Sequence, residues 1–349
     1  MPTPAQPSRI LVRAANWLGD AVMSLPALRA LRGRYPSAWI AVQALPWVAD
    51  LYARERFADQ VLLYTARRGA SDWAGKWRAA RQLRAERFDC AFLLPNSFDS
   101  ALVVWLAGIP RRIGFRRDGR GWLLTDPIAP PRPAEIPRHE RFYYLELLRR
   151  AGMLESLPAD AAIQLEGAAE ARLAGEVRFS RMGWTAPVVG VSPGAAFGGA
   201  KRWPPDRFAE AAARVASALG GVVAVFGSTN ERPVAQFVAD GLSAHKVDAR
   251  NFAGETTLGE FIELAAACRM FLTNDSGAMH VASALGVPTV AVFGPTDPEA
   301  TGPLGLMSRV VMEPVECSPC LLRECPIDHR CMTRVSPERV AAEALELLK

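Results

Sequence analysis

The chain repeats one pattern along most of its length. A short apolar run is followed by a turn of small and polar residues, then by a stretch with helical periodicity. Runs at 10–12, 39–45, 61–64 and 90–94 read as buried strands, and 21–34, 73–86 and 97–107 as helices, with Pro26 near the first turn of the earliest. The alternation restarts with strands at 188–191, 222–226, 270–272 and 289–293 and helices at 206–219, 231–240, 258–267 and 278–285. Strands that alternate with helices in this way form parallel sheets covered on both faces. Between the two series lie a Pro-rich irregular stretch at 129–137, a helix at 140–151 and a linker of acidic and small residues at 154–166. A closing helix at 336–348 has Ser336 as its cap and Pro337 at its first position. With 349 residues the chain exceeds one typical core. The expectation is an α/β protein of two doubly wound parallel sheets: an N-terminal domain 1–165, a C-terminal domain 166–335, and the closing helix 336–349. Ligands of such sheets sit beyond the carboxyl ends of the strands, here in an expected inter-domain cleft.

Half of the residues are apolar and 22% are charged, an ordinary globular composition. No apolar run reaches the ~18 residues of a membrane-spanning helix. Residues 1–8 are polar and Pro-rich with no hydrophobic core of a signal peptide, so the expected location is cytoplasmic. The formal charge is +5, and only four of 41 basic residues are lysines: Lys76, Lys201, Lys246 and Lys349. This arginine excess reflects genome composition, or else a preference for anionic surfaces such as a phosphorylated substrate or acidic headgroups. The arginines are scattered and accompany no nucleic-acid motif, so no nucleic-acid partner is expected.

The turns after the strands carry the chemistry. In Thr273-Asn274-Asp275-Ser276-Gly277-Ala278-Met279-His280, a strand empties into a helix N-terminus. Free N–H groups and the positive dipole end there suit phosphate, and Asp275 and His280 supply a carboxylate and an imidazole. Ser192-Pro193-Gly194 begins a second small-residue loop that ends in Lys201-Arg202, able to wrap a diphosphate. Gly227, Ser228 and Glu231 follow another strand; Glu231 either accepts from ribose hydroxyls or complements the helix dipole. Together these point to a nucleotide or nucleotide-sugar site in the second half. After the first strand, Asn16-Trp17-Leu18-Gly19-Asp20 replaces G-x-G-x-x-G, which argues against a dinucleotide-dependent oxidoreductase. Asp20 is a helix cap, a general base, or both. Asn96 follows the fourth strand, and Arg111, Arg112, Arg116 and Arg117 flank a short strand, where they form a solvated face or contact an anionic acceptor.

Six cysteines are unevenly placed. Cys90 and Cys268 read as buried thiols. Cys317, Cys320, Cys325 and Cys331 form C-x2-C-x4-C-x5-C around His329, a spacing open to zinc, to disulfides and to reduced thiols alike.

Taken jointly, these motifs resemble glycosyltransferase family 9, the bacterial lipopolysaccharide heptosyltransferases. The likeness runs through Asn16 to Asp20, Leu94-Pro95-Asn96-Ser97-Phe98 and Ala107-Gly108-Ile109-Pro110-Arg111-Arg112. It continues through Pro193-Gly194-Ala195, Ala200-Lys201-Arg202-Trp203-Pro204, Thr273 to His280 and Phe293-Gly294-Pro295-Thr296. Cys317-Ser318-Pro319-Cys320 with Arg323-Glu324-Cys325-Pro326 is nearer the II type than the I type. The I type carries threonines where this chain has Ala195, Ala196 and Phe197, so phosphate contacts fall to backbone N–H groups or Ser192.

The resemblance implies a GT-B enzyme of two Rossmann-like domains. It implies inverting transfer of L-glycero-D-manno-heptose from ADP-heptose to the first heptose of heptosyl-Kdo2-lipid A, at the inner face of the cytoplasmic membrane, with no cofactor and no metal. By analogy Asp20 is the catalytic base and Lys201 contacts the diphosphate and sugar. Ser192, Gly194, Gly227, Ser228, Glu231, Asp275, Ser276, Gly277 and His280 face the donor, and Asn16, Asn96 and Arg112 the acceptor. Another regiochemistry, another sugar nucleotide and a non-catalytic nucleotide-binding module are the rival expectations.

Overall fold

The computed structural model describes residues 6–67, 69, 71–159 and 161–349. The first five residues of the polar N-terminal stretch therefore lie outside the described residues. The chain divides into two compact units, Met1–Ala162 and Ile163–Lys349.

Unit 1 carries β1 (Arg9–Arg13), α1 (Leu18–Arg34), β2 (Trp39–Ala44), α2 (Pro46–Ala53), β3 (Gln60–Leu63), α3 (Trp73–Ala85), β4 (Cys90–Leu93), α4 (Phe98–Leu106), β5 (Arg111–Phe115), β6 (Asp126–Ile128) and α5 (Arg141–Arg150). Its six strands are parallel in the order β3-β2-β1-β4-β5-β6. Ile10, Leu11 and Val12 are wholly buried, as a central strand covered on both faces requires.

Unit 2 carries α6 (Ala168–Arg181), β7 (Val188–Ser192), α7 (Pro205–Leu219), β8 (Val222–Val225), α8 (Arg232–Ala244), β9 (Ala249–Asn251), α9 (Leu258–Ala266), β10 (Met270–Asn274), α10 (Gly277–Ala284), β11 (Thr289–Val292), α11 (Pro298–Thr301), β12 (Ser308–Val311), α12 (Arg330–Thr333) and α13 (Pro337–Glu346). Its strands are also parallel, in the order β12-β11-β10-β7-β8-β9. The closing helix α13 packs on α7 within this unit, with Ser336 accepting from the Arg339 N–H at its start.

Counted within each unit, both sheets have strand order 3-2-1-4-5-6, the order of dinucleotide-binding folds. The chain reverses direction across the sheet between β1 and β4 in unit 1 and between β7 and β10 in unit 2. A crevice opens at such a switch point because the helices after the two strands leave on opposite faces. The turns singled out in the sequence, Asn16–Asp20 with Asn96 and Ser192–Lys201 with Asp275–Gly277, leave the carboxyl ends of these central strands.

Two boundaries differ from the sequence reading. Helix α1 begins at Leu18, so Pro26 lies in its interior and Asp20 sits in its first turn; the cap is Trp17, which makes no side-chain capping bond. Helix α6 fills the stretch between the linker and the strand at 188, to which the sequence reading assigned no element. Among the described residues no helix is long and apolar enough to cross a membrane.

Candidate active site

In unit 2 the loop after β7 is folded by its neighbours before it reaches Lys201. Asn274, the last residue of β10, donates from Nδ2 to the Pro193 carbonyl (2.7 Å) and accepts the Trp203 N–H at Oδ1 (3.0 Å). Trp203 is fully buried, stacks edge-on against Phe208 and donates from Nε1 to the Val335 carbonyl (3.1 Å). This ties both ends of the loop to the sheet and directs the residue between them, Lys201, back over β10. Its Nζ meets Asp275 Oδ2 at 2.5 Å, with the two side chains only 12% and 4% exposed. The Thr296 hydroxyl donates to the same oxygen (2.7 Å). An ammonium has three donors, and Asp275 takes one of them. The carboxylate thus fixes where the positive charge stands, and Phe197 lies beneath the ammonium, 4.9 Å from ring centre to Nζ.

Helix α10 starts at this point. Ser276 is its cap residue but makes no capping bond; its hydroxyl pairs with the Thr273 hydroxyl (3.2 Å). The first-turn N–H groups of Gly277 and its successors are therefore not taken by the Ser276 side chain, as an anion site requires. His280 is buried one turn further on. Ser192 closes β7 and is also buried.

Glu231 stands across β7 from Lys201. Its Oε2 accepts from the Ser228 N–H and hydroxyl, both at 2.8 Å, in a capping box. Its carboxylate also lies directly over Gly194, so that a Cβ there would collide with Oε1. Gly227 is likewise packed against the Glu231 stem. The structure therefore brings Ser192, Gly194, Lys201, Gly227, Ser228, Glu231, Asp275, Ser276, Gly277 and His280 to one edge of one sheet.

The cysteine-rich segment holds the Lys201 loop from outside. The Arg323 carbonyl accepts from the Ala200 N–H (2.9 Å), Glu324 Oε1 from the Gly199 N–H (2.9 Å), and His329 Nε2 bonds the Ala200 carbonyl (2.7 Å). Arg323 also lies over the Phe197 ring, opposite in sequence to the loop it clamps. All six cysteines are free thiols, and the Cys331 thiol is pushed up to about 11 by burial, with Cys317, Cys325 and Cys320 adding to it. Among the described residues no three His, Cys, Asp or Glu side chains gather closely enough to hold a metal ion.

In unit 1 the Asn16 to Asp20 turn is pinned by Arg13, whose guanidinium bonds Asn16 Oδ1 (3.4 Å) and the Gln43 carbonyl (3.1 Å). Trp47 Nε1 donates to the Asn16 carbonyl (2.9 Å). Asn96 donates to the Tyr143 hydroxyl (2.9 Å), while its Oδ1 is buried without a partner. The Pro95 turn beneath it is held by Arg120, fully buried and bonded to the Pro95 carbonyl and the Ser100 hydroxyl. Arg112 does not join this group. It lies at the amino end of β5, and its guanidinium is spent on the Leu123 (2.7 Å) and Ile109 (2.5 Å) carbonyls.

The sequence reading missed Glu140, which precedes α5. Burial pushes its carboxyl up to about 7, and the negative charge of Asp20 adds to the effect. Burial also raises the Tyr144 and Tyr52 hydroxyls, and the Asp20 charge adds to it, so this corner gathers several acids around one carboxylate. The folded protein thus holds the Glu140 proton more tightly than the unfolded chain. Its contribution to stability is intact below about pH 4.5 and is lost as pH rises to about 7. Glu140→Gln should therefore raise stability at pH 8, by about 3 kcal/mol, and approach parity near pH 4.5. Urea unfolding at the two pH values checks this; an equal change at both would remove the assigned cause.

The profile described as glycosyltransferase family 9 (heptosyltransferase) matches residues 76–330. Lipopolysaccharide heptosyltransferase 2 of Escherichia coli K12 is 36% identical over 308 residues, 87% of each chain. Lipooligosaccharide heptosyltransferase 2 of Haemophilus influenzae is 32% identical over 306 residues, covering 86% of this chain and 88% of that protein. The solved structure of E. coli ADP-heptose LPS heptosyltransferase II superposes with a TM-score of 0.82 at 34% identity, covering 97% of this chain and 98% of that one. With a matching profile over most of its length and relatives of this similarity, the chain belongs to glycosyltransferase family 9, the heptosyltransferases.

Proposed function

We propose that this glycosyltransferase moves L-glycero-D-manno-heptose from ADP-heptose, with inversion, onto the first heptose of heptosyl-Kdo2-lipid A. We place it as a peripheral protein on the inner face of the cytoplasmic membrane. The observation that carries the reading is the Asp275-fixed Lys201 ammonium above the uncapped N-terminus of α10. That arrangement suits a diphosphate whose charge increases as it leaves. Asp20 takes the proton from the acceptor hydroxyl. The hydroxyl oxygen then bonds to the anomeric carbon as the bond from that carbon to the diphosphate breaks, and ADP departs. Ser192 and Gly194 line the donor loop, and Gly227 and Ser228 set Glu231 to meet the ribose hydroxyls. His280 and the Ser276-Gly277 turn face the phosphates. Asn16 and Asn96 meet the acceptor sugar, and Arg112 is left out because its guanidinium is already engaged.

The test is turnover with ADP-heptose and heptosyl-Kdo2-lipid A, read by mass spectrometry as one added heptose. Transfer from another nucleotide sugar in preference to ADP-heptose, or no product with this acceptor, would overturn the reading. Activity is expected to persist in EDTA, because a lysine and a helix N-terminus meet the phosphate charge and no Asp-x-Asp pair stands ready for Mg²⁺. Loss on chelation that Mg²⁺ restores would contradict this. Loss restored only by Zn²⁺, with a fall in melting temperature, would locate a structural metal at Cys317, Cys320, Cys325 and Cys331.

A further inference from the structure

Charge and aromatic exposure are both concentrated in unit 1. Residues 1–162 hold 24 basic and 15 acidic residues, while residues 163–349 hold 17 and 21. The whole positive excess of the protein thus resides in the first unit. Six of the nine tryptophans are exposed, and all six are in unit 1: Trp17, Trp47, Trp73, Trp77, Trp105 and Trp122. Trp17 and Trp47 stand beside the Asn16 turn. The other four lie on the α3–α4 layer.

Helix α3 turns Gly75, Lys76, Ala79, Ala80 and Leu83 inward. Its outer face carries Trp73, Trp77, Arg81 and Arg84, spaced four, four and three residues apart and therefore on one stripe. An open depression of about 780 Å³ is lined by Trp77, Arg81, Arg84, Ala85 and Arg87. Arg84 donates to the Leu106 carbonyl (2.6 Å), which joins the stripe to the end of α4 beside Trp105. Trp105 packs edge-on against Trp122, and Trp122 against Phe98, all three exposed. Exposed Arg116 and Arg117 flank this cluster. Inside, the buried Lys76 Nζ bonds Asp99 Oδ1 (2.7 Å) and fixes the two helices as one rigid layer.

Tryptophan combines an apolar ring with a polar N–H and settles at the boundary between headgroups and acyl chains. Arginine beside it meets anionic phosphate. We propose that the outer face of the α3–α4 layer docks on an anionic phospholipid bilayer, with Trp73, Trp77, Trp105 and Trp122 entering the interface and Arg78, Arg81 and Arg87 meeting headgroup phosphates. The charge excess of unit 1 is the complement such a surface needs. The inference rests on the transfer reading only for its purpose, which is to bring the enzyme to an acceptor anchored in lipid; docking itself requires no catalysis.

The test is co-sedimentation with vesicles of phosphatidylcholine alone and of phosphatidylcholine mixed with phosphatidylglycerol. The wild type should bind the mixed vesicles and not the neutral ones. Arg78→Gln, Arg81→Gln and Arg87→Gln together should lower the partition coefficient on the order of 100-fold. Trp73→Ser with Trp77→Ser should abolish the fraction that survives high salt, because salt screens the arginines and not the rings. Both variants should unfold at the wild-type temperature and turn over a deacylated, water-soluble acceptor at the wild-type rate. Wild-type binding that ignores phosphatidylglycerol, or variants that bind like the wild type, would overturn the proposal. So would a wild-type dimer that becomes monomeric in the tryptophan variant, since a second copy would then be the occupant. If the soluble acceptor gives no product while vesicle binding holds, the transfer reading fails and the docking surface stands.

Discussion

Asp20→Ala is expected to lower kcat by about 10²–10⁴-fold, the usual cost of losing a general base, while ADP-heptose affinity stays within a factor of two or so of wild type. The asymmetry follows from the placement of Asp20 in unit 1, in the first turn of α1, whereas the elements proposed for the diphosphate belong to unit 2. Glu140 adds a second signature. Its carboxyl keeps its proton until about pH 7, so it is a poor base below that and a competent one above. With the Asp20 charge gone only burial holds the Glu140 carboxyl up, so any residual turnover of Asp20→Ala should rise with pH at a point below 7 and disappear in the Asp20→Ala/Glu140→Gln double variant. Calorimetric binding of ADP-heptose together with the pH profile of kcat makes the measurement. A near-normal kcat in Asp20→Ala would remove Asp20 from the chemistry.

Lys201→Ala should weaken donor binding and slow transfer by about 10²–10³-fold, the range found when one donor to a developing oxyanion is removed. It should also destabilise unit 2, because Asp275 would remain buried with Thr296 as its bonded partner and no cation. The two effects separate in Lys201→Ala/Asp275→Asn. A neutral amide removes the stranded charge, so melting temperature should recover most of the loss while turnover stays low. Lys201→Arg should rescue poorly, since a planar fork does not reproduce a compact ammonium held by one carboxylate oxygen. A double variant that recovers turnover along with stability would show that Lys201 acts only on folding.

The parallel sheets were legible because their central strands are short, apolar over three or four consecutive residues and followed by small polar turns. The same turns fall at the two switch points, so the residues beside them were legible too. What escaped the sequence has particular causes. Edge strands β6, β9 and β12 pair on one side only and have no need of an apolar run. Helix α6 buries Ala171, Gly175 and Phe179, and two of those three are too small to give a hydrophobic period. Gly175 is there because α9 presses on it so closely that a Cβ would strike the Glu263 carbonyl. Glu140, Arg120 and the bond from Thr296 to Asp275 escaped because each depends on a partner distant in sequence: Asp20, Pro95 and Asp275. Arg112 was read as facing the acceptor, and its binding to the Leu123 and Ile109 carbonyls appears only once β5 and the Leu123 turn are folded.

The two half-sites differ in when a growing chain can complete them. Asn16, Asp20, Asn96 and Glu140 are all present once the first 140 or so residues have been made, with the Tyr143 that holds Asn96 close behind. The Lys201 loop is translated in the middle of the chain, yet it is fastened by Arg323, Glu324, His329 and Val335, the last of these through Trp203. The ribosome must therefore add more than a hundred further residues before the Lys201 loop acquires its final anchors. Because domains fold as units in order of synthesis, the unit 1 turn from Asn16 to Asp20 matures first, and the Lys201 ammonium is positioned among the last events of biosynthesis.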